Sequence, residues 1–304
     1  MKKRVLFWFT LLTLLLALFT GITTQHEPVQ AADLTFDLEQ EIASTYEDYV
    51  AQAGFDDWAA ALSAYDGKPI PADFVNAAIE AAKQAGGEYE YIPTLNKVII
   101  GLTAAKQNVS DIDGLNLLEK NAFMDTAKYQ LVNEYAWTLL AYDSGAHQLP
   151  EGATITRSFL IEKLLEAQLA GGGWAFAGTE LDPDITGMVL TALSPYENQI
   201  EVSEAIQKAV TALKGLQVNN SNSAAQLVIG LAAVGEDPRS PDYQQAGSDL
   251  LEYIHSFKAD EGYKWQASDT TGNAFSTKDV AFAYRAYQKF LQGESKHVYY
   301  DLGQ

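Results

Sequence analysis

The sequence predicts an all-α protein, a closed ring of six helix pairs behind an N-terminal signal segment. Three observations carry this. A three-residue anchor returns six times, as Leu62-Ser63-Ala64, Leu102-Thr103-Ala104, Leu139-Leu140-Ala141, Leu190-Thr191-Ala192, Leu231-Ala232-Ala233 and Tyr284-Arg285-Ala286. Each anchor lies among apolar residues at helical spacing, and each interval has room for two helices and two turns. Strand signals are almost absent. Turn signals fall between the helices, at Asp66-Gly67, Gly86-Gly87, Asp113-Gly114, Gly171-Gly172-Gly173, Asp237-Pro238 and Asp260-Glu261-Gly262. A helix pair cannot bury its apolar face alone, so such units stack on one another.

The chain begins with a segment unlike the repeats. Lys2, Lys3 and Arg4 form a positive start, residues 5–19 are apolar, and Val29-Gln30-Ala31 fits a small-residue cleavage site. Residues 1–31 therefore read as a signal peptide. The other reading is an uncleaved anchor, because the apolar stretch nearly reaches spanning length. Residues 32–304 read as one domain in which outer and anchor helices alternate strictly.

The first outer helix, 36–53, places Phe36, Ile42, Tyr46, Tyr49 and Val50 on one face. The second, 74–84, is alanine-rich, and the third, 115–123, is short. The fourth, 158–169, carries Phe159, Leu160, Leu164 and Leu165. The fifth, 202–216, carries Ile206, Val210, Leu213 and Leu216, and the sixth, 243–257, carries Leu250, Leu251 and Ile254. Alanine ending every anchor suggests a crowded inner position. The last anchor helix, 278–291, contains Val280, Phe282, Ala283, Ala286, Tyr287 and Phe290. It is too apolar for a free end cap, which favours an α6/α6 toroid over an open solenoid.

The chain holds 40 Asp and Glu against 20 Lys and Arg, a net charge of −20. Losing the leader removes Lys2, Lys3, Arg4 and Glu27 and makes the balance more acidic. This disfavours nucleic-acid and anionic-membrane partners, which need a cationic surface. Contact with a membrane is expected only through an uncleaved leader. There is no cysteine, so neither a disulfide nor a thiolate metal site is possible. A leader without cysteines downstream fits export of the Gram-positive type, to the medium or the cell surface.

The most specific segment runs Gln168-Leu-Ala-Gly-Gly-Gly-Trp174 and continues to Leu181-Asp-Pro-Asp-Ile-Thr186. It resembles the QW repeat of terpenoid cyclases, in which the glutamine bonds to a helix end and the Trp packs over it. Degenerate versions stand at residues 84–89 and 257–263. With Asp57-Trp58, Tyr65-Asp-Gly-Lys68, Leu139-Leu-Ala-Tyr-Asp-Ser-Gly145, Ala192-Leu-Ser-Pro-Tyr196 and Leu231-Ala-Ala-Val-Gly-Glu-Asp-Pro238, the chain resembles the terpenoid cyclase/prenyltransferase α/α-toroid superfamily. Its closest likeness is to the toroid domain of exported bacterial surface proteins related to cobalamin carriers. The resemblance implies a toroid, and a corrinoid as one candidate ligand.

It also raises acid catalysis. Class II cyclases use Asp-x-Asp-Asp, whose middle acid protonates an alkene. Asp184 matches that acid and Asp182 the first, but the third place is Ile185. The simpler reading is that one of the two caps a helix starting near Ile185. Protein prenyltransferases hold zinc with Asp, Cys and His; here there is no cysteine, and His147, His255 and His297 stand alone. The segment 111–119 has a calcium-loop flavour, but its glycine comes too early, so a turn followed by a capped helix is preferred. No Ser/His/Asp arrangement, phosphate loop or H-E-x-x-H motif is visible.

The anchor helices are expected to start on one rim around a central cavity. Asp57, Trp58, Trp174, Asp182, Asp184, Thr186, Asn222 and Thr277 are the candidate ligand-binding residues. The leading expectation is a non-catalytic binding or surface scaffold, without metal or cofactor, for a small apolar or corrinoid-like molecule or a partner protein. The alternative is a terpenoid-cyclase or prenyltransferase-like enzyme with Asp184 as general acid.

Overall fold

A computed structural model describes residues 34–294 and 297–303. The expected leader, 1–31, lies outside them. Among the described residues there are twelve α-helices, three single 3-10 turns and no strand. The odd-numbered helices are α1 (Leu38–Ala53), α3 (Ala72–Gln84), α5 (Leu117–Ala122), α7 (Arg157–Glu166), α9 (Ile200–Leu213) and α11 (Leu250–His255). The even-numbered ones, which carry the anchors, are α2 (Asp57–Tyr65), α4 (Ile92–Ala104), α6 (Val132–Asp143), α8 (Pro183–Leu193), α10 (Ser221–Ala233) and α12 (Ala274–Leu291). No described helix is long and apolar enough to cross a membrane.

Local chemistry sets the helix starts. Asp37, Asp56, Asn116, Thr156, Asp182, Asn220, Asp249 and Asn273 each accept a hydrogen bond from a backbone N–H of the first turn. Two places differ from the sequence expectation. The sixth outer helix is only α11, because Pro241–Tyr243 forms a separate 3-10 turn and Gln245 pairs with Ser248 around Ala246 and Gly247, both at positive φ. The third outer helix follows the same device. Ile112 pairs with Leu115 around Asp113 and Gly114, and Asp111 accepts the Gly114 N–H.

Packing follows chain order. Each even helix lies against the next, from α2 through α12, and the odd helices cover them. The even helices are the more buried: every residue of α10 is buried, whereas α3 buries only Ala82. Two glycines bring the backbones of α8 and α10 close together. A Cβ added to Gly187 on α8 would overlap the Gln226 carbonyl of α10, and one on Gly230 would overlap the Gly187 backbone. Gly187→Ala is therefore expected to lower stability by about 1–3 kcal/mol through overpacking. Gly171→Ala, where nothing lies within reach and φ is ordinary, should stay within about 0.5 kcal/mol. Equal urea midpoints for the two variants would contradict this contact.

The last repeat meets the first. Helix α12 packs on α1 and touches α2. Arg285 is fully buried and donates to Asp66 Oδ1 at 2.8 Å, Asp66 Oδ2 at 2.6 Å and the Ile42 carbonyl at 3.0 Å. Around α11, Glu252 accepts from the Thr35 N–H and hydroxyl, Lys258 pairs with Glu41, and Tyr263 donates to Glu41 at 2.8 Å. Residues 297–303 then run back across the ends of α4 and α6. The N–H of Leu302 donates to Ser144 O at 2.7 Å, and Gly303 lies against Thr103. From this segment Tyr299 inserts its ring among Trp58, Trp137 and Phe282, with centroids 6.1, 5.5 and 4.8 Å away.

Candidate functional site

One cavity takes its lining from all six even helices. Trp58 comes from α2, Pro93, Thr94 and Lys97 from α4, and Trp137 from α6; Asp184 and Met188 come from α8, Gln226 from α10, and Phe275, Lys278 and Asp279 from α12. Its volume is about 320 Å³. The Trp58 and Trp137 rings lie 5.1 Å apart, tilted at 53° to each other. Tyr299 packs against both. Helix starts and early turns face the cavity because the even helices run in one direction, each entered through a turn that follows an odd helix.

Charge at this cavity is arranged in pairs. Lys97 bonds to Asp56 at 2.7 Å and lies 3.9 Å from Asp57. Lys278 lies 3.0 Å from Asp279, 4.4 Å from the Phe275 ring and 5.4 Å from the Trp58 ring. Asp279 is buried and also accepts from Asn222 Nδ2 at 2.7 Å, while Asn222 Oδ1 accepts from Ser276 at 2.8 Å. These bonds lock α10 to α12 beneath the cavity mouth.

Asp184 differs. One of its carboxylate oxygens is buried with no hydrogen-bond partner. Burial pushes its carboxyl up to about 6, against the lowering effect of a hydrogen bond with Ser223 and with help from the nearby Asp182 and Asp279 charges. A folded-state pKa above the unfolded one means that the native state holds this proton more tightly. Its contribution to stability is greatest below the unfolded carboxylate range and is lost as pH rises through about 6. Asp184→Asn is accordingly expected to gain stability relative to the parent chain between about pH 4.5 and about pH 7.5. A pH-independent difference in urea midpoint would contradict it. Asp57 is raised to about 6 as well, first by burial, with Lys97 opposing and Asp56 adding.

The sequence candidates divide into two groups. Trp58 and Asp184 line the cavity, and Asn222 borders the neighbouring one described below. The others serve the framework. Asp182 caps α8, accepting from the Asp184 and Ile185 N–H groups at 2.9 and 3.0 Å. Trp174 is fully buried; its indole donates to Leu164 O at 2.6 Å and its backbone N–H to Thr186 Oγ1 at 2.9 Å, which joins Thr186 to the same cluster. Thr277 is fully buried and accepts the Tyr263 N–H at 3.0 Å. Asp57 packs on α4 at Gly101. Gln168 donates to Ala205 O in the middle of α9, and Trp174 closes on α7, so the glutamine and the tryptophan tie two odd helices rather than share one helix end.

Lys97, Trp137, Met188, Gln226, Phe275, Lys278 and Asp279 were not singled out from sequence. The signal was positional: each stands upstream of an anchor on the helix that carries it, Trp137 and Met188 by two residues, Lys97, Gln226 and Asp279 by five, Lys278 by six and Phe275 by nine. No protein-family model matches this chain, and no curated protein matches it.

Chemically, the cavity offers aromatic faces, one unsatisfied acceptor and two ammonium groups that already have partners. Among the described residues no group of three or more His, Asp or Glu could hold a metal ion. Alkene protonation needs a strong acid whose anion is stabilised by its neighbours. Asp184 is a weakened acid between two other carboxylates, and Asp182 spends its side chain on the cap.

Proposed function

We propose that this chain is an exported, non-catalytic binding module, an α6/α6 toroid of the terpenoid cyclase/prenyltransferase type, displayed at the cell surface or released. Its rim cavity holds a small amphipathic molecule. The observation that carries this reading is the single cavity to which all six even helices contribute. A pocket of this size suits a compact ligand with an apolar body and a few polar groups. The apolar body would lie on Trp58, Trp137 and Met188, and a donor group would satisfy Asp184. A corrinoid, being larger, would lie across the rim with only part of it inside. Ring closure is supported by the contacts of α12 with α1 and α2 and by the Arg285–Asp66 pair. Tyr299 fills the space behind the tryptophans, which favours a shallow binding site over a deep reaction chamber.

The second reading, a cyclase-like enzyme, draws on the unsatisfied Asp184 oxygen beside aromatic rings. Incubation of residues 32–304 with squalene, geranylgeranyl diphosphate and cyanocobalamin, followed by mass spectrometry, separates the two. The expected result is recovery of unaltered molecules, at least one of them bound, with binding weakened in Trp137→Ala. A cyclised product that disappears in Asp184→Asn would replace the binding reading with the enzymatic one.

A further inference from the structure

We propose that a second cavity on the same rim, between Trp265 and Phe275, is a binding site for the pyranose ring of a neutral saccharide. Asp184, Asn220, Asn222, Asn273 and Ser276 complete its lining, and its volume is about 500 Å³. It shares Asp184 and Phe275 with the first cavity, whereas Trp265, Asn220, Asn222, Asn273 and Ser276 line only this one.

The two aromatic rings are presented to solvent. Trp265 is 48% exposed and Phe275 65% exposed, whereas Trp174 is fully buried and Trp58 and Trp137 are half-buried. Among the described residues neither Trp265 nor Phe275 stacks on another aromatic ring, and the Lys278 ammonium lies 4.4 Å from the Phe275 ring. A single exposed aromatic is ordinary, but two that line one cavity form an apolar patch of the kind that marks a binding site. The loop that bears it is fixed. The Ser221 N–H donates to Trp265 O at 2.9 Å, the Ser221 hydroxyl donates to Lys264 O at 2.6 Å, and the Gln266 N–H donates to Asp269 at 3.0 Å. The backbone that carries the ring is thus fixed before any ligand arrives, which lowers the ordering cost of binding.

The polar lining selects the ligand class. Asp184 is the only charged residue in it, and one of its oxygens lacks a partner. Asn273 spends its Oδ1 on the Ser276 N–H and one amide hydrogen on the Ser276 hydroxyl, which leaves a second hydrogen as donor. An anion finds no cation here and meets Asp184 in a chain of net charge −20. A purely apolar molecule would strand the asparagines and the aspartate. A pyranose carries C–H bonds on its face, which suit the electron-rich face of an aromatic ring, and hydroxyls on its edge, which donate to a carboxylate and accept from an amide.

The test is calorimetric titration of residues 32–304 with cellohexaose, N-acetylchitohexaose and maltohexaose. At least one is expected to bind with Kd of about 1 mM or tighter. Trp265→Ala should weaken that binding by about tenfold or more, Trp265→Phe should retain most of it, and Trp137→Ala should leave it unchanged. Trp265 is half exposed, so Trp265→Ala is expected to fold, and far-ultraviolet circular dichroism checks that it does. Three results would each overturn the proposal: no binding of any of the three sugars, binding indifferent to Trp265→Ala, or binding of benzyltrimethylammonium at Trp265 in their place. Loss of ligands from the first cavity with these results intact would leave this site standing.

Discussion

Arg285→Ala is expected to remove about 3–5 kcal/mol of stability, the cost of breaking a buried ion pair by deleting one partner. The guanidinium is fully buried and forks onto both oxygens of Asp66, at 2.8 and 2.6 Å, while also donating to Ala281 O and Ile42 O. Without it, Asp66 is left with Lys68 at 3.4 Å as its ion-pair partner, and the Ile42 carbonyl loses a donor. The Tyr65 hydroxyl donates to the Arg285 backbone carbonyl at 3.1 Å, an acceptor that the substitution keeps. A domain of this kind has only about 5–15 kcal/mol in total, so the variant should unfold at much lower urea. Arg285→Lys should recover only part of the loss, because an ammonium cannot reproduce the planar fork. Removing both members in Arg285→Met with Asp66→Leu should be less destabilising than Arg285→Ala, since apolar side chains then fill the volume and no carboxylate is left without the buried guanidinium. Equal midpoints for Arg285→Ala and the parent chain would mean that the pair is not buried in solution.

Tyr299→Ala carries the second large effect. The ring is 4% exposed and packed on Trp58, Trp137 and Phe282. Emptying that volume should cost about 3 kcal/mol or more. The consequence for binding is as informative as the loss of stability. The space vacated adjoins the two tryptophans of the rim cavity, so a deeper chamber should open and the variant should take longer apolar molecules than the parent chain does. Tyr299→Phe keeps the ring and should behave as the parent for binding. Burial and the Asp279 charge hold the Tyr299 phenol well above its ordinary value, so it stays neutral and the swap removes no charge. If Tyr299→Ala retained parental stability and parental ligand length, the ring would not be filling the molecule's centre.

Much of the architecture could be read from the chain because it repeats. Six anchors and the helical spacing around them located every even helix, but the caps Asp56, Asn220 and Asn273 went unread, and the last helix begins at Ala274 rather than at 278. The short α11 escaped because Tyr243 and Leu250 are both buried and share a helical register, although the Ala246-Gly247 turn breaks the backbone between them. Arg285 was visible as a departure: it is the only charged residue in any anchor triplet, and a charge at a core position implies a buried partner. Its partner, 219 positions away, had no local signature.

The cavity lining was legible only in part. Helix starts were placed on one rim, which brought Trp58 and Asp184 forward. Whether an aspartate caps or faces a cavity depends on one position in the first turn, and this separates Asp182 from Asp184. Trp174 looked like a site residue because its glycine-rich turn is conspicuous, yet that turn exists to let Trp174 reach the Leu164 carbonyl. Tyr299 belongs to no repeat, so periodicity carried no information about it.

The central claim is that the sixth helix pair stands beside the first, and covalent cross-linking tests it most directly. The chain has no cysteine, so two introduced ones can react only with each other. Gln288 on α12 donates to Glu39 on α1 at 2.6 Å, across a separation of 249 positions. Glu39→Cys with Gln288→Cys, treated with a short bismaleimide at high dilution, should give an internally linked monomer of altered gel mobility. Glu39→Cys with Glu166→Cys, on α7, should give none. Failure of the first pair to link within one molecule, with both thiols shown to be reactive, would mean that the helix pairs form an open superhelix.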